Sequence, residues 1–245
     1  VAALQLTQNL LIHAMPPDSQ KRLASAARVS EVHVAHRIFD EDEPTDVYFP
    51  LNAVVSLMRT LEDGEMVEVG MVGSEGFIGI SSVLGVALNP HAGVTQGRGM
   101  LATVPRDVLR EELAREPRVG DVLHRFVYSF YASVSQLVAC NRRHNVVQRL
   151  AHWLLMLHDR TGADEMALTH EFLSFMLATR RAGITEAMAA LTDAGAIEPK
   201  RNRARVVDRA KLETISCECY RISFDEYERT LGFAPVTRGR TKPVA

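Results

Sequence analysis

Cysteine is scarce in this chain of 245 residues, with three copies at 140, 217 and 219. So small and odd a number excludes a disulfide scaffold. Long hydrophobic runs are missing as well. None approaches the roughly 18 apolar residues that would span a bilayer. The short apolar stretch from Leu10 has no basic residue before it and meets Pro16-Pro17 at once, which is not the pattern of a secretory signal. These absences lead us to expect a cytoplasmic protein with no membrane partner. A strong charge of one sign is lacking too, the net charge being −2. No nucleophile elbow, Walker loop or dinucleotide fingerprint occurs, so the common signatures of an enzyme are not there. Disorder and collagen-like structure are excluded by a hydrophobic fraction of 47%.

The length allows one large or two small domains, and the charge is divided unevenly along it. Residues 1–116 carry 9 basic against 16 acidic side chains, whereas residues 117–245 carry 19 against 14. An acidic front and a basic back suggest two domains with different partners, the basic one facing a polyanion.

Residues 1–30 read as helical, from Leu4, Leu10, Leu11 and Ile12 before the proline break and Leu23, Ala26 and Ala27 after it. The period then shortens. Short β-branched or aromatic runs fall at 32–39, 47–49, 53–58, 66–72, 92–95 and 100–104. Turn formers such as Asp42-Glu43-Pro44 and Glu62-Asp63-Gly64 separate them, which predicts an antiparallel sandwich or barrel. Helix returns after Pro105. The longest helical pattern covers 117–142, where Val119, Leu123, Phe126, Phe130 and Leu137 form a stripe with the spacing of a coiled-coil seam. That stripe is the expected dimer interface. Another helix is expected from Val146 to its stop at Thr161-Gly162.

The most informative stretch is 167–208. Thr169 caps a short amphipathic helix containing Phe172, Leu173, Met176 and Leu177. Ala178-Thr179 interrupts it, and a second helix opens on Arg180-Arg181 with Ile184, Ala187, Met188 and Leu191 as its buried side. Two short helices joined by a tight turn form a helix-turn-helix, whose second helix presents its first residues to base edges in the major groove. A hairpin follows with Lys200, Arg201, Arg203 and Arg205 at its tip. Such a wing sets cations against phosphates, which contributes affinity but no sequence readout. Thr169, His170, Thr185 and Glu186 complete the expected DNA-binding set.

A β-roll, a long helix and a winged helix-turn-helix, in that order, resemble the Crp/Fnr family of transcription regulators. The phrases Val47-Tyr48-Phe49-Pro50-Leu51 and Val67-Glu68-Val69-Gly70-Met71-Val72-Gly73-Ser74-Glu75-Gly76 add to the likeness. The resemblance implies an α+β fold. Its parts would be an N-terminal antiparallel β-roll of the cyclic-nucleotide-binding type (1–116), a long dimerisation helix (117–142), a C-terminal winged helix-turn-helix (143–232) and a flexible tail (233–245). It also implies a homodimer on a palindromic operator in double-stranded DNA, contact with RNA polymerase, and a small-molecule effector of unknown identity. The effector residues would be Glu75, Gly76, Phe77, Ile78, Gly79, His91 and Arg98.

The sequence departs from the family in instructive ways. Cyclic-AMP-binding members pair the cyclic phosphate with an Arg followed by Ser or Thr, and Asn89-Pro90-His91-Ala92 stands there instead. Without that cation a buried phosphate binds poorly, so the expected effector is not cyclic AMP. No cysteine precedes Cys140, which excludes the family's N-terminal iron–sulfur site. His33, His36 and His91 read as ordinary strand histidines rather than haem ligands. Cys217-Glu218-Cys219 is spaced too tightly for a zinc knuckle, so no metal and no cofactor are expected. The competing reading is a metal-dependent enzyme of the cupin type. It requires a His-x-His pair and a following Glu and His, which His33 and His36 do not begin.

Overall fold

The computed structural model describes residues 6–43 and 46–235; Leu4, Pro44 and the segment after 235 lie outside them. The chain enters through two helices, α1 (Leu10–Ala14) and α2 (Pro17–Ala26). Asn9 starts the first. Its side-chain oxygen accepts from Leu11 N at 3.1 Å and Ile12 N at 3.2 Å, and its Nδ2 donates to Pro50 O at 2.9 Å and Gly76 O at 2.8 Å. Each of these bonds is made out of contact with water, where an unmatched amide would cost about 1–3 kcal/mol.

Seven strands follow: β1 (Arg28–Val32), β2 (Arg37–Phe39), β3 (Val47–Pro50), β4 (Val55–Thr60), β5 (Met66–Val72), β6 (Ala92–Thr95) and β7 (Gly99–Val104). They form two antiparallel sheets, in the orders β1-β7-β3 and β2-β6-β4-β5. Helix was expected to reach residue 30, but Arg28–Val32 is a strand paired with β7. Tertiary pairing overrides a weak local pattern there. A short helix, α3 (Ile80–Val83), lies between β5 and β6, and the strand pattern had not foretold it.

Next come α4 (Arg106–Arg115), the long α5 (Pro117–Arg143) and α6 (Val146–Thr161). Pro117 sits in the first turn of α5, where its missing N–H is no loss. A reciprocal capping box between Asn145 and Gln148 opens α6, and Gly162, in the left-handed region, closes it.

The last part holds β8 (Glu165–Ala167), α7 (His170–Met176), α8 (Arg181–Asp193), β9 (Ile197–Lys200), β10 (Arg203–Val206), α9 (Arg209–Ile215) and α10 (Cys219–Leu231). The hairpin gains a third strand, in the order β8-β10-β9. From α10, Tyr227 reaches back to Phe126 of α5, with ring centroids 6.3 Å apart. Phe233 packs on the same core.

The stripe expected to form the dimer seam has another partner. Val119, Leu123, Phe126 and Phe130 are buried within their own chain. The sheet makes room for them with glycine. A Cβ on Gly76 would come within 2.3 Å of the Phe126 ring, and one on Gly70 within 2.7 Å of the Phe130 ring. Leu137 is half-buried. The outward side of α5 carries Tyr131 and Val138, which are 69% and 67% exposed, beside half-buried Val127 and Val134.

Candidate nucleic-acid interface

Two helices and a turn build the site. Thr169 caps α7, its hydroxyl accepting from Phe172 N at 3.1 Å. The turn runs through Ala178, whose φ of 44° lies in the left-handed region. Arg180, extended, precedes the first turn of α8. Ile184, Ala187, Met188 and Leu191 are buried, as the helical period requires. On the opposite side Arg180, Arg181, Ala182, Thr185, Glu186, Ala189 and Ala190 are exposed. His170 Nδ1 stands 3.1 Å from Thr185 Oγ1, and that hydroxyl donates to Arg181 O at 3.0 Å. These two expected DNA-contacting residues therefore also tie the first helix to the second.

Lys200, Arg201, Arg203 and Arg205 are all exposed on the wing. Two are bound to an acid that the sequence reading had missed. Glu165, on β8, accepts from Lys200 Nζ at 2.8 Å and Arg203 at 2.7 Å. These bonds hold its carboxyl down at about 2. Among the described residues, Glu165 pairs with neither Arg201 nor Arg205. Only the β8 strand, invisible as a three-residue segment, could have revealed Glu165.

The β-roll contributes a second site, a cavity of ≈ 490 Å³ between the sheet, the α3 region and α5. Its walls include Leu57, Val69, Ile78, Gly79, Ile80, Leu84, Val86, Leu88, Val127, Phe130, Tyr131 and Val134, with Ser81, Asn89 and His91 as polar members. Burial and nearby Arg59 push the His91 imidazole below its ordinary pKa, so it favours the neutral form.

Of the expected effector residues, Ile78, Gly79 and His91 lie on this cavity, whereas Glu75, Gly76, Phe77 and Arg98 do not. Glu75 is held by Arg160 of α6 at 2.9 Å. Gly76 and Phe77 lie under Phe126. Arg98 is paired with Glu31 at the surface. The Glu75-Gly76 phrase thus serves the junction between the β-roll and the C-terminal part. Glu68 joins it there: Ser56 and Trp153 Nε1, the latter at 3.0 Å, donate to its buried carboxylate.

His33 and His36 are exposed at the β1–β2 turn. Among the described residues, the His, Cys, Asp and Glu side chains that cluster at metal-ligand distances do so elsewhere, at Cys140, His144, Cys217 and Cys219.

Residues 148–215 match the model of the Crp-like helix-turn-helix domain. No curated protein matches the chain. Among solved structures, FixK2 from Bradyrhizobium japonicum is similar over 78% of this chain and 98% of its own, at 17% identity and a TM-score of 0.66. A Crp/Fnr-family transcriptional regulator from Thermus thermophilus covers 77% and 98% at 18% identity, with a TM-score of 0.63. The regulator CLP from Xanthomonas campestris, described as c-di-GMP responsive, covers 78% and 99% at 14% identity, with a TM-score of 0.64.

Proposed function

From the fold of a Crp/Fnr-type transcriptional regulator, with a Crp-like helix-turn-helix at residues 148–215, we propose that this chain is a dimeric, DNA-binding transcription regulator acting in the cytoplasm. The observation that carries the reading is the exposed face of α8. Its first residues are Arg180 and Arg181, and Arg201 and Arg205 stand on the wing. Arginine at the start of a recognition helix reads guanine through O6 and N7, while wing cations meet phosphates. Two such faces, related by a two-fold axis, call for a palindromic operator.

The dimer axis is proposed along the outward side of α5. Val127, Tyr131, Val134 and Val138 follow a 4-3-4 spacing, the seam of a two-stranded coil. Val127, Tyr131 and Val134 also wall the β-roll cavity. An occupant would therefore touch the helix that carries the subunit contact and leads into α6. That shared helix is the proposed relay, and RNA polymerase the proposed downstream partner.

The cavity walls favour an effector that is small and largely apolar. Among the described lining residues none is a Lys or Arg, and His91 is disposed to be neutral, which suits a phosphodiester anion poorly. A genome-wide map of bound sites, with and without candidate effectors, would yield an operator. Binding of the purified protein to that operator and to scrambled DNA then tests the reading. Preference for the operator supports it; equal affinity for both overturns it.

A further inference from the structure

The three cysteines, 140, 217 and 219, meet at one buried spot with His144. Cys140 lies in the last turn of α5 and His144 ends that helix, so the two stand four residues apart on one face. Cys217 and Cys219 flank the start of α10. The four ligand-type atoms, three Sγ and one imidazole nitrogen, all lie within 4.8 Å of one another. Cys140 Sγ is 3.5 Å from Cys217 Sγ, and Cys219 Sγ is 3.5 Å from His144 Nδ1. A tetrahedral zinc ion with Zn–S near 2.3 Å and Zn–N near 2.0 Å sets its sulfurs about 3.8 Å apart and its sulfur and nitrogen about 3.5 Å apart.

The surroundings fit the same chemistry. His144 offers Nδ1 to the cluster while its Nε2 faces Glu218 Oε2 at 3.1 Å. A carboxylate on the far nitrogen fixes the tautomer that leaves Nδ1 free to ligate. Gln136 Nε2 donates to Cys219 Sγ at 3.1 Å. His152 Nδ1 lies 3.7 Å from Cys140 Sγ and 3.8 Å from Cys217 Sγ. Three thiolates around a divalent ion leave one negative charge, and Arg149 lines the same small cavity as Cys140 and His152. Cysteines buried only as small apolar side chains would need none of these polar neighbours.

We propose that Cys140, His144, Cys217 and Cys219 form a tetrahedral zinc(II) site. Two ligands precede the helix-turn-helix segment at 148–215 and two follow it. The ion would fasten both ends of the DNA-binding domain to the end of the long helix. Soft thiolates with one imidazole select zinc over the hard divalent cations.

The test uses the full chain, expressed with added zinc and purified under reducing conditions. Elemental analysis should find one zinc per chain. Replacing it with cobalt(II) should produce the intense visible bands of tetrahedral coordination and a thiolate charge-transfer band. The three thiols should react slowly with a disulfide reagent until a strong chelator is added. The chelator should also lower Tm by roughly 5 °C or more. His144→Ala and Cys219→Ser, which leave Cys140 in the core, should each reduce the retained zinc several-fold.

Several results would overturn the site. One is a metal-free protein whose thiols react alike with and without chelator. Others are a Cys140–Cys217 disulfide in the freshly purified chain, a cobalt spectrum without the thiolate band, or zinc retained undiminished in both variants. None of these readouts depends on DNA binding, so the site can fail while the regulator reading stands, and the reverse.

Discussion

Arg160, near the end of α6, donates through Nε to Glu75 Oε1 at 2.9 Å, and the two side chains are 4% and 1% exposed. This ion pair, out of reach of water, connects the β-roll to the first helix of the Crp-like helix-turn-helix segment. Burial alone would disfavour the Arg160 cation, and Glu75, together with Tyr227 and Asp159, more than offsets it. Removing one partner strands the other charge. Arg160→Met should destabilise the protein by about 3–5 kcal/mol, whereas Glu75→Gln combined with Arg160→Met should recover much of that loss. Urea unfolding of both single variants and the double variant measures the coupling.

Glu68 makes stability at this junction depend on pH. Burial raises its carboxyl to about 7, against the lowering effect of hydrogen bonds from Ser56 and Trp153. A carboxyl with a raised folded-state pKa holds its proton more tightly in the folded chain than in the unfolded one. Its contribution is therefore fully present below about pH 4 and is lost as pH rises through 7, a change of about 3 kcal/mol. Glu68→Gln keeps an acceptor for Trp153 and has no proton to lose. It should flatten the fall in stability between about pH 4 and 7, as read by thermal melts across that range. An unchanged profile would show that Glu68 is not the group responsible.

The proposed DNA-binding face can be separated into readout and anchoring. Arg181→Ala should cost about 1–3 kcal/mol per half-site on the operator and relax preference at one base pair. Arg205→Ala should weaken operator and scrambled DNA alike, lowering the slope of log K against log salt by about 0.9 per lost phosphate contact. Arg203→Ala should change the slope less, because Glu165, shared with Lys200, already offsets part of that charge. A salt titration of the three variants decides. If Arg205→Ala alters the specificity ratio while Arg181→Ala does not, helix and wing have exchanged roles.

The two apolar sides of α5 predict different outcomes on substitution. Tyr131→Glu with Val138→Glu should produce a folded monomer, since both side chains stand in solvent within a single chain. Phe126→Ala should instead lower stability by about 3–5 kcal/mol, through the cavity left against Gly76 and Phe77. Sedimentation and urea unfolding distinguish the two. A stable dimer carrying both glutamates would remove this side of the helix from the interface.

Much of the architecture is legible in the sequence. The change from period two to period 3.6 after Pro105 marks where sheet gives way to helix, because side-chain alternation and helical recurrence leave different apolar patterns. Two short helices opening on Arg180-Arg181, with a hairpin following, marked the stretch that matches the Crp-like helix-turn-helix model. Three-residue β8 and the Ile80–Val83 turn of helix were not legible, since so short a segment carries no period.

What the sequence determined by itself is which residues share a face; what only the tertiary structure decided is what each face meets. Val119, Leu123, Phe126 and Phe130 stand on one side of α5 by spacing alone, and Val127, Tyr131, Val134 and Val138 on another. Nothing in the spacing says which set lies inward. Gly70 and Gly76 settle it, for they leave room on the sheet for two phenyl rings. The same limit governs polar contacts. Glu75 and Arg160 are 85 residues apart, and Cys140 and Cys217 are 77 apart. A local pattern has no access to pairs at that separation, because chain folding, rather than helical or strand geometry, brings them within bonding distance.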